Sequence, residues 1–509
     1  MTLHEPPAPV SARTYRTLVL GAAGSALALL GACAPQAGSG AAPPPSQSPT
    51  LDRSNVPPAG PTPSVDFPEI SRTALANGLN LWIVERHDVP LVTLRLVVGA
   101  GSEVEPGARA GLASFTAGML DEGTERRTAL GIADEIDFLG AQLGAGASYD
   151  AAYVVLSTLR RNLEPALDVF ADIVVNPVFP AKELDRVREE GITAITSRAD
   201  QPTVVASEAF SAKIYGPEHP YGRPLGGTVA SLRGFSGDDV REFYRTFYRP
   251  NNANLIVVGD VRAAEVVPML ERGFAGWERG AVPARTGYAA PGAQPQTRVY
   301  LIDKPGAAQS EIRIGHVGVP RSSDDYFPLL VMNSILGGQF SSRINLNLRE
   351  DKGYTYGARS SFDMRREAGP FVASAGVQTP STKESVVEFM RELRGIRGER
   401  PVTQEELDFA KAGIVRAEPR RLETSGSVAD RIDDLIVYGL PPDYFDSYAQ
   451  RVDAVTLADV ERVADRYLDP EHFAIVIVGD RATVEAGLRE LPYPVEVVPV
   501  EAPAAVGRG

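Results

Sequence analysis

Five histidines, His4, His87, His219, His316 and His472, are the chain's only imidazoles, and no two stand within one helical turn of each other. A catalytic zinc takes three protein ligands and keeps one open position, so histidines this scattered do not announce a metal centre. The single cysteine, Cys33, rules out an internal disulfide and any Cys-rich zinc or iron–sulfur site. Ser114 is no better placed as a nucleophile, because Leu112 occupies the position where a G-x-S-x-G elbow needs glycine, and no base is in sight. Gly337 and Gly338, followed by Phe340-Ser341-Ser342, lack the Gly-Lys-Ser/Thr ending of a phosphate loop. They read as a tight turn between helices, with Ser341 or Ser342 as N-cap. Arg349 and Tyr356 stand seven residues apart, at the end of a helical pattern and the start of a strand pattern. A guanidinium fork grips carbonyls or carboxylates, and a phenol can donate to a developing oxyanion. On residue type alone, however, the two read as an arginine complementing a helix dipole and a tyrosine packed in a sheet.

The elements that must position these groups repeat. Tyr248-Arg-Pro-Asn-Asn-Ala-Asn-Leu-Ile-Val-Val-Gly259-Asp260 is echoed by Tyr467-Leu-Asp-Pro-Glu-His-Phe-Ala-Ile-Val-Ile-Val-Gly479-Asp480, an offset of 220 residues. Each copy opens on strand patterns, 79–85 and 91–99 in one, 298–303 and 311–319 in the other. Helical patterns follow at 111–120, 129–139, 163–175 and 181–198, with strands 142–148 and 152–159 among them. The second copy keeps that order, with helices at 326–336, 341–349, 383–397 and 404–418 and strands at 355–363 and 370–378. Runs of strands alternating with runs of helices predict α+β layers with antiparallel sheets rather than strict βαβ winding. The Gly/Pro-rich stretch 280–296 is the expected linker between the copies.

Of the 509 residues, 43% are apolar and 23% charged, the balance of a soluble globular protein. A net charge of −14 lacks the basic footprint of a nucleic-acid binder. The first 33 residues read as an export signal: Arg13 and Arg16 precede an apolar run, 18–30, too short to span a bilayer, which ends at Leu30-Gly31-Ala32-Cys33. This resembles a bacterial lipoprotein signal, cut before Cys33 and lipidated on it; an ordinary secretory signal or an uncleaved anchor are the other readings. Ala34 after the cysteine resembles lipoproteins sorted to an outer rather than an inner membrane. Residues 34–65, rich in Pro, Ser, Gly and Ala, are expected to be a flexible tether, with a disordered tail at 501–509.

Five segments carry a family resemblance, in order along the sequence: Ala110-Gly-Leu-Ala-Ser-Phe-Thr-Ala-Gly-Met-Leu-Asp-Glu-Gly-Thr, Glu218-His-Pro-Tyr-Gly-Arg-Pro, Tyr248-Arg-Pro-Asn-Asn, Leu336-Gly-Gly-Gln-Phe-Ser-Ser-Arg and Leu348-Arg-Glu-Asp-Lys-Gly-Tyr-Thr-Tyr. They resemble landmarks of the pitrilysin/insulinase family of metallopeptidases, which includes the mitochondrial processing peptidases. The resemblance implies two homologous halves, 66–279 and 297–500, each a mostly antiparallel sheet packed with helices, closing clam-like around a chamber. Active members carry H-x-x-E-H on a helix of the first half, two histidines for the zinc and a glutamate to activate water. Here Ser114-Phe-Thr-Ala117-Gly118 occupies that segment, and Ala194 falls where the third ligand, a glutamate about 75 residues further on, would stand. The resemblance thus implies the non-catalytic type of subunit, lacking the zinc motif, with no activity expected alone and no metal or other cofactor expected on this subunit. Arg349 and Tyr356 match the family's substrate-contacting pair, and the turn at Gly337 and Gly338 lies beside the chamber in relatives. His219 matches too, but before a proline in a loop it reads as structural. The resemblance therefore implies the substrate-binding subunit of a heterodimeric peptidase in the bacterial envelope, facing the periplasm. A homologous partner would bring the zinc, with peptides or unfolded segments as substrate and the N-terminal lipid in the membrane. The alternative is a lipid-anchored peptide-binding or scaffold protein with no peptidase partner.

Overall fold

The computed structural model describes Gly60 and residues 66–499, apart from Thr286 and Ala293. The expected signal with Cys33, the tether except Gly60, and the tail 501–509 lie outside the described residues. Contacts divide the protein into residues 1–60 and 61–509, and both halves of the repeat belong to the second part.

The first half runs β1 (Ser71–Ala74), β2 (Asn80–Glu85), β3 (Leu91–Val98), α1 (Leu112–Gly118), α2 (Ala129–Phe138), β4 (Gln142–Ala147) and β5 (Ala152–Leu159). It continues through α3 (Leu163–Val175), α4 (Ala181–Arg198), α5 (Pro202–Tyr215), α6 (Val229–Gly234), α7 (Gly237–Phe247), β6 (Ala253–Gly259) and α8 (Ala263–Gly273). The second half runs β7 (Arg298–Asp303), β8 (Gln309–Val317), α9 (Tyr326–Asn333), α10 (Arg343–Asn345), β9 (Thr355–Phe362), β10 (Pro370–Gln378) and α11 (Thr382–Arg394). It closes with α12 (Gln404–Ala417), α13 (Ser425–Tyr438), α14 (Tyr448–Asp453), α15 (Leu457–Tyr467), β11 (Ala474–Gly479), α16 (Arg481–Leu488) and β12 (Val495–Val498).

Each half builds a six-stranded sheet, ordered β1-β2-β6-β3-β5-β4 and β12-β7-β11-β8-β10-β9. Pairing is antiparallel except β2 with β6 and β7 with both β11 and β12, so the sheets are mixed but mostly antiparallel. The repeated motif supplies β6 and β11, the strands set between β2 and β3 and between β7 and β8. A strand covered on both faces reads as one apolar run, which accounts for Leu255-Ile-Val-Val and Ile475-Val-Ile-Val.

The covers on the two faces come from different halves. Leu255 and Val257 of β6 point into the first half's own core, with Leu167 and Phe170 of α3. Ile256 and Val258, the alternate residues, join Val428, Ile432 and Leu435 of α13, a helix of the second half. In mirror fashion Val476 and Val478 of β11 pack with Ala206, Phe210 and Ile214 of α5, a helix of the first half. Two arginines mark the same relation: Arg95 of β3 stands opposite Ile256 and pairs with Asp430 of α13 at 2.6 Å. Arg313 of β8, opposite Val476, donates to Ser207 Oγ and the Thr203 carbonyl of α5, both at 3.4 Å. The hairpin turns meet as well, Asp150 accepting from the Tyr221 hydroxyl at 2.6 Å and from the Arg366 N–H at 3.1 Å.

Three expectations need correction. The helix expected over 326–336 is α-helical only to Asn333 and widens into a π-helical turn, Ser334–Gly338. That expected over 341–349 is a single α-turn, α10, followed by a second π-helical turn, Leu346–Asp351, that holds Arg349. Ser342 occupies the N-cap of α10 but makes no capping bond, and its Oγ is buried without a partner. The crossing helices α5 and α13 and the flanking strands β1 and β12 are further elements that the sequence patterns do not announce.

Candidate functional site

Helix α1 is fixed at its start by Glu105, whose buried carboxylate accepts from the N–H groups of Gly111 (3.0 Å) and Ala113 (2.6 Å). Burial pushes that carboxyl up to about 7. Gly111 has φ +92°, and a Cβ there would lie 2.6 Å from the Gly227 nitrogen, so only glycine can open the helix. Along α1, Ser114 donates its hydroxyl to the Leu225 carbonyl at 2.9 Å, Ala117 is fully buried, and a Cβ at Gly118 would meet nothing within 4 Å. Ala194 is exposed on α4, one step along the i, i+4 row from Arg186 and Glu190, which are themselves joined at 2.8 Å. Arg186 also bonds Glu122, just beyond α1.

A zinc ion does not fit this donor set: one hydroxyl already given to a carbonyl, two methyl groups and a bare glycine offer no imidazole, thiolate or carboxylate. Elsewhere the described histidines are held locally. His87 bonds Asp260 (2.8 Å), His316 the Val317 carbonyl (2.7 Å) and His472 Asp469 (2.7 Å). His219 accepts from the Tyr221 N–H (3.1 Å) and stacks on Tyr215. Among the described residues no three His, Cys, Asp or Glu side chains are grouped as metal ligands.

The second half places Arg349, Tyr356, Gly337 and Gly338 on one cleft of about 600 Å³. None of Ser114, Ala117, Gly118 or Ala194 lines it. Tyr356 reaches it through a β-bulge. Ala375 pairs with Ala358 and Val377 with Thr355, so Tyr356 and Gly357 together oppose Gly376 alone. An extra residue at a strand edge re-aims its side chain. Tyr356 is accordingly 86% exposed rather than packed in the sheet. The Arg349 guanidinium carbon lies 4.8 Å from the Tyr356 ring centroid and 4.5 Å from that of Phe340, and its Nε meets Glu350 at 3.2 Å. Gly337 is required by close approach, since a Cβ would stand 2.4 Å from the Ser360 nitrogen; at Gly338 it would stand 2.8 Å from Asn333 Nδ2. Gly337 thus lets the π-helical turn lie directly on β9, and Gly338 leaves room for the Asn333 amide.

Two asparagines complete that junction. Asn345 Oδ1 accepts from the Ala358 N–H at 3.0 Å, while its Nδ2 donates to the Phe340 carbonyl at 2.7 Å. Asn333 Nδ2 donates to the Ser360 carbonyl at 3.1 Å and its Oδ1 accepts from the Ser360 hydroxyl at 2.8 Å. Groups of edge strand β9 are thereby occupied. Sequence reasoning missed Phe340, Arg359 and these asparagines. The available signal was an apolar residue, Phe340, amid a Gly, Gln and Ser turn, and 61% of it is exposed.

Residues 82–229 match the family described as Insulinase (Peptidase family M16), and residues 234–414 match the one described as Peptidase M16 inactive domain. An uncharacterized zinc protease of Mycobacterium leprae is 27% identical over 415 residues, covering 80% of this chain and 91% of that protein. The uncharacterized zinc protease YmxG of Bacillus subtilis is 26% identical over 412 residues, 80% of this chain and 98% of its own. Among solved structures, a peptidase M16 inactive domain from Pseudomonas fluorescens superposes with a TM-score of 0.75 at 26% identity, covering 81% of this chain and 98% of that one. A protease from Helicobacter pylori gives a TM-score of 0.74 at 21% identity, over 81% of this chain and 99% of its own, and shares the fold.

Proposed function

Because the chain belongs to the insulinase family, peptidase family M16, we propose that it is the non-catalytic, substrate-binding subunit of a two-chain zinc peptidase. The observation that carries this is a contrast within one molecule. Arg349 and Tyr356 are presented together on an open cleft, whereas the α1 segment holds no group able to bind zinc or activate water. A homologous partner brings the metal in its own first half, and this subunit brings the arginine and the phenol. The guanidinium holds peptide, and the phenol O–H is aimed at the oxygen where negative charge develops. Cys33 anchors the complex by lipid to the bacterial envelope, with the body in the periplasm.

The test is reconstitution with a cognate homologue carrying H-x-x-E-H. The wild-type protein should restore peptidase activity that neither subunit has alone. Tyr356→Phe should lower turnover about 100- to 1,000-fold, the usual cost of one oxyanion donor, while co-purifying at wild-type stoichiometry. Arg349→Ala should raise KM with little change in kcat, since a charged grip that acts in ground and transition states alike is uniform binding. If both variants keep full activity, the pair is structural and the protein is a scaffold.

A further inference from the structure

The Phe340–Arg349–Tyr356 stack leaves a specific part of the arginine unused. Its guanidinium lies within cation–π distance of both rings, and among the described residues only its Nε has a charged partner, Glu350 at the rim. Arg359, on the same wall, is exposed and has no ion-pair partner among the described residues. The third arginine of the cleft, Arg313, is neutralised by Glu311 at 3.0 Å, with both side chains nearly buried. Glu311 is the only acidic residue of the described lining; with Glu350 at the rim counted as well, three arginines face two glutamates, which leaves the cleft net cationic through Arg359 in a protein whose formal charge is −14. A positive concavity in an acidic molecule concentrates anionic ligands. Beside these donors stands the Phe340 ring, 61% exposed on the glycine turn that close packing holds against β9.

We propose that this cleft is selective for a peptide segment carrying a carboxylate next to a large apolar residue. Arg349 and Arg359 take the carboxylate, and Phe340 packs against the apolar neighbour. The inference rests on the reading that the cleft holds peptide and adds the class of peptide. The carboxylate has two sources, an Asp or Glu residue and the free C-terminus of a peptide, which the test separates.

The probe is a fluorophore-labelled octapeptide with a central Phe-Glu pair and a C-terminal Phe, and its Phe-Gln counterpart, each with a free or an amidated C-terminus. All four are titrated by anisotropy against this subunit alone. Loss of about tenfold on Glu→Gln assigns the carboxylate to the glutamate residue, and the same loss on amidation assigns it to the terminus; either result supports the proposal. Arg349→Gln and Arg359→Gln should each remove the preference for the charged peptide, and Phe340→Ala should weaken all four peptides about fivefold. Raising salt from about 0.05 to about 0.5 M should erase most of the preference. Equal binding of all four peptides, indifference to the arginine variants, or no binding at all overturns the proposal. Because the readout needs no partner, such a failure is distinct from failure of the two-chain reading, which is decided by turnover in the complex.

Discussion

Tyr356 owes its exposure to one extra residue in β9, and Gly118 owes its harmlessness to empty space where a side chain would go. The second point bears on whether the lost metal site can be rebuilt. A histidine at 118 has room, and at 114 it displaces only a serine bonded to the Leu225 carbonyl. A glutamate at 117 replaces a fully buried methyl, and burying a charge without a partner costs several kcal/mol, of order 2–7 for even a polar group. Ala194 still supplies no third ligand. The triple variant Ser114→His, Ala117→Glu, Gly118→His is therefore expected to melt earlier than wild type and to hold no stoichiometric zinc by metal analysis. One tightly held zinc per molecule with chelator-sensitive peptidase activity would contradict this.

At the level of elements, the crossing helix α13 carries Asp433 into a site facing Arg95 of β3, Tyr153 of β5 and the neighbouring Asp430 and Asp434. Burial is the main cause that pushes its carboxyl up to about 7, against the opposing pull of Arg95. The folded protein thus holds a proton that the unfolded protein has released above about pH 4. Stability contributed here is fully present below that pH and is lost as pH rises to about 7, at up to about 1.4 kcal/mol per pH unit. Asp433→Asn should flatten this part of the stability-versus-pH curve in denaturant titrations between pH 4 and 7; an unchanged slope would mean the group is not protonated in the folded state. The crossing helices also mark the limit of what periodicity reveals. Strong periodicity placed α3 and α4 at 163–175 and 181–198, because their apolar stripe and charged face contrast. Helix α5, Pro-Thr-Val-Val-Ala-Ser-Glu-Ala-Phe-Ser-Ala-Lys-Ile-Tyr, has small and β-branched residues nearly all round and buries Ala206, Phe210 and Ile214 against the other half. Its contrast is too weak to register as an amphipathic helix. The two-half fold was legible because the repeat lies in the central strands. The cleft was legible only in part, since a bulge and two π-helical turns leave no periodic trace, and Phe340 declares itself only once neighbours are known.

For the molecule as a whole, the proposed lipid attachment at Cys33 has a direct test: Cys33→Ser should move the protein from the membrane to the soluble fraction, and a variant that still fractionates with membranes would contradict the proposal. A further consequence follows from the exchange of α5 and α13 between the two sheets. One copy of the repeat, taken by itself, leaves one face of its sheet bare, because the helix it carries for that purpose covers a different sheet. An isolated half with this architecture is therefore expected to be unstable as a monomer, its bare sheet face needing a second half to cap it. Within the single polypeptide, Arg95 and Arg313 stand at equivalent positions, opposite Ile256 and Val476, so each half caps the other as two subunits of a dimer would.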